Sequence, residues 1–370
     1  MHMAYDARMS LGNYRGMGRY LRALIAGREH VLLGLCASGE SDPDLRIVAG
    51  GMRTYPLWEQ LSIPRLLRAR NIDTFIAPYN TAPLRLPAKT RLILIVHDLI
   101  YMEPSPLSRS MYQNAGRVYR RLVTPHAIRR ADLIVTVSRY TADRLAARFH
   151  VDERKIRVIP ASIDAAWFDA PAAPREQAGM VLTVAGEAPS KNLLRALEAF
   201  ALCRTRAHPA SLRMKVAGVK PAFHSTFRAH AAALGVEDAV EFLPYLPDAS
   251  LRALYRQADV LLMPSLAEGF GIPLLEAMAS GVPVASSDAA SLPEVGGDAS
   301  LYFDPLAVEQ MAAVLHRILS DAPLRNAMSD RGRAQARRFH PDAIQGRIQS
   351  FWNEVEQTVG PARPVECAAC

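Results

Sequence analysis

The chain has 370 residues, half of them hydrophobic, and a formal net charge of +8, and this length allows two domains with separate hydrophobic cores. No apolar run reaches the roughly 18 to 20 residues that cross a bilayer, and the N-terminus lacks the regions of a signal peptide. These features exclude the membrane-spanning and secreted classes and predict a cytoplasmic protein.

The first predicted strand, residues 3–8, leads into a glycine-rich segment that precedes an amphipathic helix. Gly16 and Gly18 lie in this segment, where backbone amides before a helix N-terminus favour a phosphate. The glycine spacing differs from G-x-G-x-x-G, so it does not predict a dinucleotide site, and a simple turn is the alternative.

Asp42 and Asp44 form an Asp-x-Asp pattern inside a polar segment of Ser, Gly, Asp and Pro. This composition makes turns by itself, so we interpret the pattern as a turn and predict no metal site.

Residues 57–70 are predicted to be helical. A hydrophobic strand then ends at His97, and the carboxyl ends of parallel strands face the ligand crevice of an open α/β sheet. His97 is therefore a candidate functional residue, with a structural role as the alternative.

The segment from residue 169 to residue 179 is rich in Pro and Ala and shows no periodicity, which indicates a linker between two domains. The second half opens with a strand, a loop of small residues and a helix. Lys191 stands at the start of this helix and can serve as a mobile cation for a diphosphate.

The most informative stretch is residues 264–284, in which a short buried strand is followed by a loop and a helix. Gly269 and Gly271 in the loop favour a phosphate or diphosphate at the helix N-terminus. Glu268 and Glu276 are separated by seven residues, and their carboxylates suit the hydroxyl groups of a polyol. The combination predicts a nucleotide-sugar ligand.

This stretch resembles the Glu-x7-Glu signature of the retaining glycosyltransferases of family 4, which have the GT-B fold. The resemblance implies that Gly269, Phe270 and Gly271 contact the donor phosphates and sugar. It also implies that Glu268 lies beside the donor sugar and that Glu276 holds the ribose hydroxyls.

The same resemblance extends over nearly the whole chain. It implies that Gly16 and Gly18 approach the donor phosphates and the acceptor, and that His97 contacts the donor sugar. Backbone groups near Tyr245 and Leu246 are expected to hold the nucleotide base. Relatives generally carry an arginine immediately before the lysine that corresponds to Lys191, and this chain has Ser190 there, so another cation is expected to complete the diphosphate site.

The expected fold class is α/β, with two doubly wound, Rossmann-like parallel sheets facing across a cleft. The expected organisation is an acceptor-binding domain at 1–170, a nucleotide-sugar domain at 179–340, a helix returning to the first domain at 341–360 and a tail at 361–370. Cys367 and Cys370 form a lone C-x-x-C in that tail and receive no metal or redox role, because no second pair and no neighbouring histidine accompany them.

The expected activity is metal-independent, retaining transfer of a hexose from a nucleoside-diphosphate sugar to a saccharide or lipid-linked saccharide in cell-surface polysaccharide synthesis. GDP-mannose is the first expected donor, with no cofactor. A rhamnosyl- or glucosyltransferase, a sugar-nucleotide epimerase and a non-catalytic nucleotide-sugar-binding scaffold are the alternatives.

The positive charge is concentrated in the first half of the chain. Residues 1–170 contain 25 Lys and Arg against 15 Asp and Glu, whereas the remainder contains 19 against 21. Arginines cluster within 65–70 and 109–130, which are predicted to be amphipathic helices. A basic, partly apolar face suits an anionic membrane surface on the inner side of the plasma membrane, and a solvated face is the alternative. No DNA- or RNA-binding motif is present, so nucleic acid is not an expected partner.

Overall fold

A computed structural model describes residues 2–12, 16–37, 39, 41–103, 111–169, 179–206 and 212–359. The chain packs into two compact units. Unit 1 contains Met1–Ser162 together with the C-terminal part from Ile344 onward, and unit 2 contains Ile163–Ala343. The C-x-x-C at Cys367 and Cys370 and the segment 170–178 lie outside the described residues.

Unit 1 is built on a parallel sheet of seven described strands in the order β3-β2-β1-β4-β5-β6-β7. The strands are β1 (Met3–Asp6), β2 (Leu32–Cys36), β3 (Ile47–Ala49), β4 (Thr74–Ala77), β5 (Arg91–Val96), β6 (Leu133–Thr136) and β7 (Ile156–Val158). The order reverses between β1 and β4, which is the topological switch point of the sheet.

The described helices of unit 1 are α1 (Gly16–Ile25), α2 (Tyr55–Leu57), α3 (Ile63–Ala69), α4 (Met111–Arg130) and α5 (Arg139–Phe149). Ser138 caps α5, because its Oγ accepts a hydrogen bond from the Thr141 amide at 3.2 Å.

The predicted single helix at 57–70 is in fact interrupted. Between α2 and α3 the backbone forms a π-helix at Trp58–Ser62, in which the Ile63 amide donates to the Trp58 carbonyl five residues back. Pro64 follows at the start of α3 and has no amide to donate, so a regular α-helical ladder cannot continue through this point.

The core of unit 1 packs Trp58 and helices α3, α4 and α5 against the sheet, with Phe75 and Leu94 among the fully buried strand residues. The last helix, α13 (Pro341–Val359), also packs on this unit from Ile344 onward. Trp352 Nε1 donates to the Leu24 carbonyl at 2.7 Å, which anchors the helix to α1.

Unit 2 repeats the architecture with six described parallel strands in the order β10-β9-β8-β11-β12-β13. The strands are β8 (Met180–Val184), β9 (Arg213–Ala217), β10 (Val240–Leu243), β11 (Val260–Met263), β12 (Val284–Ser287) and β13 (Ser300–Phe303). Its described α-helices are α6 (Leu193–Arg206), α7 (Pro221–Ala233), α8 (Asp248–Gln257), α9 (Ile272–Ala279), α10 (Leu292–Gly296), α11 (Val308–Ser320) and α12 (Ala322–Arg337).

The expected fold class, with two doubly wound parallel sheets, is confirmed by these two units. The boundary between them lies earlier in the chain than the sequence suggested. Trp167 is almost fully buried in unit 2, where its ring meets that of Tyr255 edge to face at 5.4 Å. Because this contact anchors the segment before the Pro/Ala-rich stretch, unit 2 begins at Ile163 rather than at residue 179.

Candidate functional site

The candidate donor site lies at the switch point of the unit 2 sheet, where the strand order reverses between β8 and β11. In open α/β sheets, ligands bind in the crevice outside the carboxyl ends of the two strands at this point. The loop after β8 carries Ser190 and Lys191, and the loop after β11 carries Glu268. Most of the sequence-predicted donor residues therefore converge on one place.

Backbone and amide contacts hold these two loops together. The Leu266 amide donates to the Ser190 carbonyl at 2.8 Å. Asn192 is in the left-handed conformation with a φ of 57°, and its Nδ2 donates to the carbonyls of Pro264 at 3.0 Å and Pro305 at 2.7 Å. Ser190 thus contributes through its main chain, which any residue at this position can provide.

An ion pair joins the two loops at their tips. Lys191 Nζ lies 2.6 Å from Glu268 Oε1, and Ser265 Oγ donates to the same oxygen at 2.7 Å. The Lys191 side chain is 27% exposed and that of Glu268 is 11% exposed, so both groups border the crevice. A cation and a hydrogen-bonding carboxylate are therefore available side by side at the switch point.

The second acid of the motif is buried in helix α9. Glu276 is 5% exposed, and its Oε2 accepts a hydrogen bond from the Tyr255 hydroxyl at 3.1 Å. The hydroxyl is also 3.1 Å from the Pro273 carbonyl. Burial and the neighbouring carboxylate raise the pKa of Tyr255 well above its usual value, so the phenol stays protonated and donates.

The glycine loop between the two acids has a backbone that only glycine accommodates at its end. Gly271 caps α9 with a φ of 107°, and a Cβ there would approach Leu292 Cδ2 to 2.7 Å. Ser291 Oγ lies 3.1 Å from the carbonyl oxygens of both Glu268 and Phe270, and these contacts fix the conformation of the loop. The helix starts at Ile272, directly after Gly271.

The expected base-binding residues stand apart from this group. Tyr245 and Leu246 follow the edge strand β10, which two strands separate from β11. Tyr245 is 45% exposed. Their contact with the base stays a prediction, since it depends on how a nucleotide extends along the carboxyl edge of the sheet.

His97 lies in unit 1 directly after β5 and is buried. Its Nε2 is 2.9 Å from the Pro78 carbonyl, and its ring meets that of Tyr20 edge to face at 5.2 Å. Burial lowers the pKa of His97 to about 4, so the ring is neutral at pH 7. Because a carbonyl only accepts, Nε2 carries the proton and Nδ1 is the acceptor.

The two glycines of the first half do not occupy a loop, and that expectation was wrong. Gly16 is the first residue of α1 and Gly18 lies within its first turn, on the helix that also carries Tyr20. Neither has a positive φ, and a Cβ at Gly16 would meet nothing within 4 Å. Gly16 and Gly18 therefore do not need the conformational freedom of glycine. Their contact with a donor or acceptor stays a prediction.

The acidic pair near residue 42 forms a turn, as interpreted. Asp42 Oδ1 accepts from the Asp44 amide at 3.0 Å, and the Asp42 carboxylate pairs with Arg22. Across the residues that the structure describes, no group of three His, Cys, Asp or Glu side chains is arranged to hold a metal ion. None of the described helices is long and apolar enough to cross a membrane.

Sequence reasoning missed the side chains that position the predicted ones. Ser265, Ser291, Asn192 and Tyr255 all contact the motif residues, yet each comes from a segment that reads as ordinary loop or amphipathic helix. Only Ser265 offered a signal, since it stands between the end of β11 and Glu268.

Two protein-family models match the chain. The model described as Glycosyltransferase Family 4 matches residues 16–167, and the model described as Glycosyl transferases group 1 matches residues 168–335. Together they cover residues 16–335, which include the whole candidate donor site.

Three curated relatives are similar in sequence. The O-antigen chain mannosyltransferase B of Escherichia coli is 46% identical over 103 residues, which are 28% of this chain and 27% of the relative. The MMP alpha-(1->4)-mannosyltransferase of Mycolicibacterium hassiacum is 32% identical over 55% of this chain and 49% of its own. The O-antigen chain mannosyltransferase RfbU of Salmonella typhimurium is 29% identical over 68% of this chain and 65% of the relative. The chain thus spans less than two thirds of the length of each.

Solved structures share the fold over almost the entire chain. WaaG, a glycosyltransferase involved in lipopolysaccharide biosynthesis, has a TM-score of 0.73 and 19% identity, over 97% of this chain and 100% of its own. Anabaena HepE in complex with UDP-glucose has a TM-score of 0.74 and 17% identity, over 95% of this chain and 99% of its own.

Proposed function

The chain belongs to the family 4 glycosyltransferases with the GT-B fold, and from this premise we propose that it is a retaining hexosyltransferase. It transfers mannose from GDP-mannose to a saccharide or lipid-linked saccharide acceptor in the synthesis of a cell-surface polysaccharide. The observation that carries this proposal is the Lys191–Glu268 pair at the switch point of the unit 2 sheet.

The pair suits the charge changes of glycosyl transfer. As the bond between the sugar and the diphosphate breaks, negative charge develops on the departing diphosphate. Lys191 and the N-terminus of α9 are placed at the crevice to stabilise that charge. Once the ammonium group turns to the diphosphate, the Glu268 carboxylate is available to orient hydroxyl groups of the hexose.

Glu276 provides the second recognition point, for the ribose. Its carboxylate is held in one orientation by the Tyr255 hydroxyl, and a pre-oriented acceptor suits a pair of neighbouring hydroxyl donors. Because the ribose and the diphosphate belong to the nucleotide, this acid should contribute to the binding of free nucleoside diphosphate. Glu268 should not, since its partner is the sugar.

No metal and no cofactor are part of the proposed reaction, and Lys191 requires help from a second cation. Lys220 is the candidate. Its Nζ lies 2.7 Å from Glu187 Oε1, which places it between the loops that follow β9 and β8. Its side chain is 59% exposed and can reorient towards an incoming diphosphate.

The choice of a mannosyl donor rests on the three relatives, all of which are named mannosyltransferases. Two of those names specify O-antigen chains, which are polysaccharides. HepE was crystallised with UDP-glucose on the same fold, so the fold itself leaves the base and the sugar open.

A peripheral position on an anionic membrane is also proposed, because helix α4 of unit 1 presents an apolar stripe to solvent. Met111, Ala115, Val118 and Leu122 are exposed at helical spacings of four, three and four residues. Arg129 is exposed further along the same helix. Apolar side chains flanked by basic ones suit insertion among anionic lipid headgroups.

Binding followed by turnover tests the proposed function. Thermal unfolding should be measured with GDP, UDP, GDP-mannose, UDP-glucose and dTDP-rhamnose, since a ligand at about 100 times its Kd adds roughly 2.7 kcal/mol. Preferential stabilisation by GDP and GDP-mannose, with mannose transfer to a mannoside acceptor, is the expected result. Preference for another nucleotide-sugar would identify a different hexosyltransferase, and binding without transfer would identify a scaffold.

A further inference from the structure

A cavity of about 490 Å³ lies in unit 2 at the C-terminal end of helix α9. The glycine loop of the donor site precedes the first residue of α9, whereas Ala279, its last residue, lines the cavity. Because eight helical residues span roughly 12 Å, the cavity is separate from the donor crevice. Its other lining residues come from 168–169, from the end of α12 and from 340–343. A cavity of this volume can hold a small molecule.

Two arginines on one face of α12 border the cavity without a carboxylate partner. Arg333 and Arg337 are four residues apart, which makes them neighbours on the helix surface. Neither guanidinium forms an ion pair with any residue that the structure describes. Like charges at this spacing repel each other, so an anion bound between them would stabilise the pair.

The Arg333 guanidinium lies against the backbone that follows α9. Gly281 has a φ of 71°, and a Cβ at this position would collide with the guanidinium. Arg333 Nη1 is 3.5 Å from the Ala279 carbonyl, which is long for a hydrogen bond. A role as the C-terminal cap of α9 would account for Arg333, but it uses little of the hydrogen-bonding capacity of this side chain and does not account for Arg337.

The remaining wall combines two rings with two solvent-exposed acids. The rings of Phe168 and His340 meet edge to face at 4.8 Å. The Asp342 carboxylate is 93% exposed and lies 3.4 Å from His340 Nδ1, and Asp169 is also exposed. Water screens these two carboxylates more strongly than it screens the half-buried Arg333. The interior of the cavity therefore favours an anion that carries an apolar or ring-shaped group.

A phosphate monoester of a small polyol matches these walls. Guanidinium groups bind phosphate through paired, charge-assisted hydrogen bonds, and Arg333 and Arg337 offer two such groups on one side of the cavity. The Phe168 ring offers an apolar surface to the carbon skeleton. The volume leaves room for an organic group of monosaccharide size beside the phosphate.

One wall of the cavity is connected to the acid proposed to bind the ribose. Trp167 adjoins Phe168 in the chain, and its ring packs edge to face on that of Tyr255 at 5.4 Å. The Tyr255 hydroxyl donates to Glu276 Oε2 at 3.1 Å. An ordered Phe168 therefore restrains the residues that orient the Glu276 carboxylate.

A second wall is connected to the glycine loop. Phe339 adjoins His340, and its ring packs edge to face on that of Phe270 at 5.6 Å. Phe270 belongs to the loop that precedes α9, and Ala279 ends the same helix at the cavity. Both ends of α9 are thus in contact with residues that a ligand of the cavity would order.

We propose that this cavity binds a phosphate monoester and that its occupation raises the affinity of the donor site for nucleotide. The binding itself rests on the cavity, whereas the effect on nucleotide affinity rests on the proposed function. A ligand that orders Phe168 and His340 also orders the side chains packed on their neighbours, so the nucleotide loses less conformational entropy when it binds. Because coupling between two sites is reciprocal, the nucleotide raises the affinity for the phosphate monoester by the same factor.

Isothermal titration of the full chain with D-glucose 6-phosphate, in the presence of saturating GDP, tests the cavity as a binding site. GDP occupies the donor site and keeps the phosphate of the probe out of it. Arg333→Gln and Arg337→Gln each remove one guanidinium group. Arg331→Gln, at an exposed arginine of the same helix that does not line the cavity, is the matched control. D-Glucose shows whether the phosphate is needed.

The unaltered protein and the control should bind D-glucose 6-phosphate equally, and the affinity should fall about tenfold or more in Arg333→Gln and Arg337→Gln. D-Glucose should give no measurable heat of binding. Absence of binding by the unaltered protein, or equal affinities in all four proteins, would overturn the proposal.

The affinity for GDP, measured with and without D-glucose 6-phosphate, tests the coupling. The probe should raise the GDP affinity of the unaltered protein about fivefold or more, and this increase should be absent in Arg337→Gln. An unchanged or lowered GDP affinity would overturn the regulatory role. If the unaltered protein does not bind GDP at all, the proposed function fails, and the comparison of Arg337→Gln with Arg331→Gln still decides whether the cavity binds the probe.

Discussion

Tyr255 and Glu276 form a buried pair in which the tyrosine hydroxyl donates to Glu276 Oε2 at 3.1 Å. Glu276 comes from the motif helix α9 and Tyr255 from α8, whose sequence shows no sign of a site. The pair therefore links the recognisable part of the donor site to a residue that only the folded chain brings near it.

The first prediction concerns which of the two acids, Glu268 or Glu276, binds the nucleotide. Glu276→Ala should weaken GDP binding by about 1.5–3 kcal/mol, because a charged hydrogen-bond acceptor is lost, and Tyr255→Phe by about 1 kcal/mol. Glu268→Gln should leave GDP affinity unchanged or raised, since Lys191 is released, while transfer falls strongly. Isothermal titration with GDP and initial transfer rates separate these effects. Equal losses of GDP affinity in Glu276→Ala and Glu268→Gln would contradict the division of roles.

A second prediction concerns the stabilisation of the leaving group. Lys191→Ala should lower kcat by about 10²–10³, the range found when a positioned electrostatic stabiliser is removed. Lys89→Ala, at an exposed lysine of unit 1, is the control and should be neutral. Activity should persist in excess EDTA. Ser190→Arg should not harm donor binding, because Ser190 contributes a backbone carbonyl to the loop. An absolute Mn²⁺ or Mg²⁺ requirement would refute the proposed charge neutralisation.

The third prediction is a pH dependence of stability that originates at Glu59. Burial raises the pKa of Glu59 from 4.5 to about 7. Its contribution to the stability of the fold is therefore fully present below pH 4.5 and is lost as pH rises through 7. The neighbouring Asp6 has a raised pKa and acts in the same direction, while Arg8 stays charged throughout. The free energy of unfolding of Glu59→Gln, relative to that of the unaltered protein, should increase by up to roughly 3 kcal/mol between pH 5 and pH 8. Urea unfolding at several pH values measures this gain, and a difference that does not vary with pH would count against it.

A fourth prediction concerns the protonation state of His97. Because its pKa is lowered from 6.5 to about 4, the ring should not titrate above about pH 5. Its contribution to stability is present above pH 6.5 and is lost as pH falls towards 4. His97→Gln retains a donor for the Pro78 carbonyl and identifies the His97 signal by its disappearance. An NMR titration that shows His97 gaining its proton near pH 6.5 would disprove the neutral, acceptor form.

The fifth prediction concerns the membrane. The double variant Val118→Ser and Leu122→Ser should bind vesicles containing anionic lipid about tenfold more weakly, because both side chains are exposed on the apolar stripe of α4. Arg129→Glu should weaken binding further and reduce its salt dependence. Leu306→Ser removes an equally exposed side chain from unit 2 and serves as the control. Co-sedimentation decides the question: no binding even at low ionic strength would leave a soluble acceptor as the substrate.

Charge reversal at Arg117 and Arg121 is a poorer test of the same surface. Arg121 donates to the carbonyls of Tyr101 and Glu103 at 2.7 Å each, and Arg117 donates to Glu103 at 3.1 Å. Two of the arginines in the predicted membrane-binding segment therefore bind the backbone at Tyr101 and Glu103. Loss of vesicle binding in such variants would report local unfolding as well as altered charge.

The local pattern of the chain determined the two-sheet architecture and the core of the donor site. Short apolar runs alternating with helical stretches specify parallel strands and crossovers, because each element must bury one face. The spacing of Glu268 and Glu276 specifies one acid on the loop and one inside the helix, since strand, loop and helix follow one another directly in the chain.

Only the tertiary structure decided the partners of these residues. Lys191 meets Glu268, and Tyr255 meets Glu276, across sequence separations of 77 and 21 residues. It also decided that Gly16 and Gly18 are helical and that the helix at residues 58–62 is a π-helix, in which Glu59 is buried and accepts a hydrogen bond from Thr81. Sequence patterns record the periodicity and turn chemistry of each segment, whereas these contacts depend on strand order, which brings distant loops to the same end of a sheet.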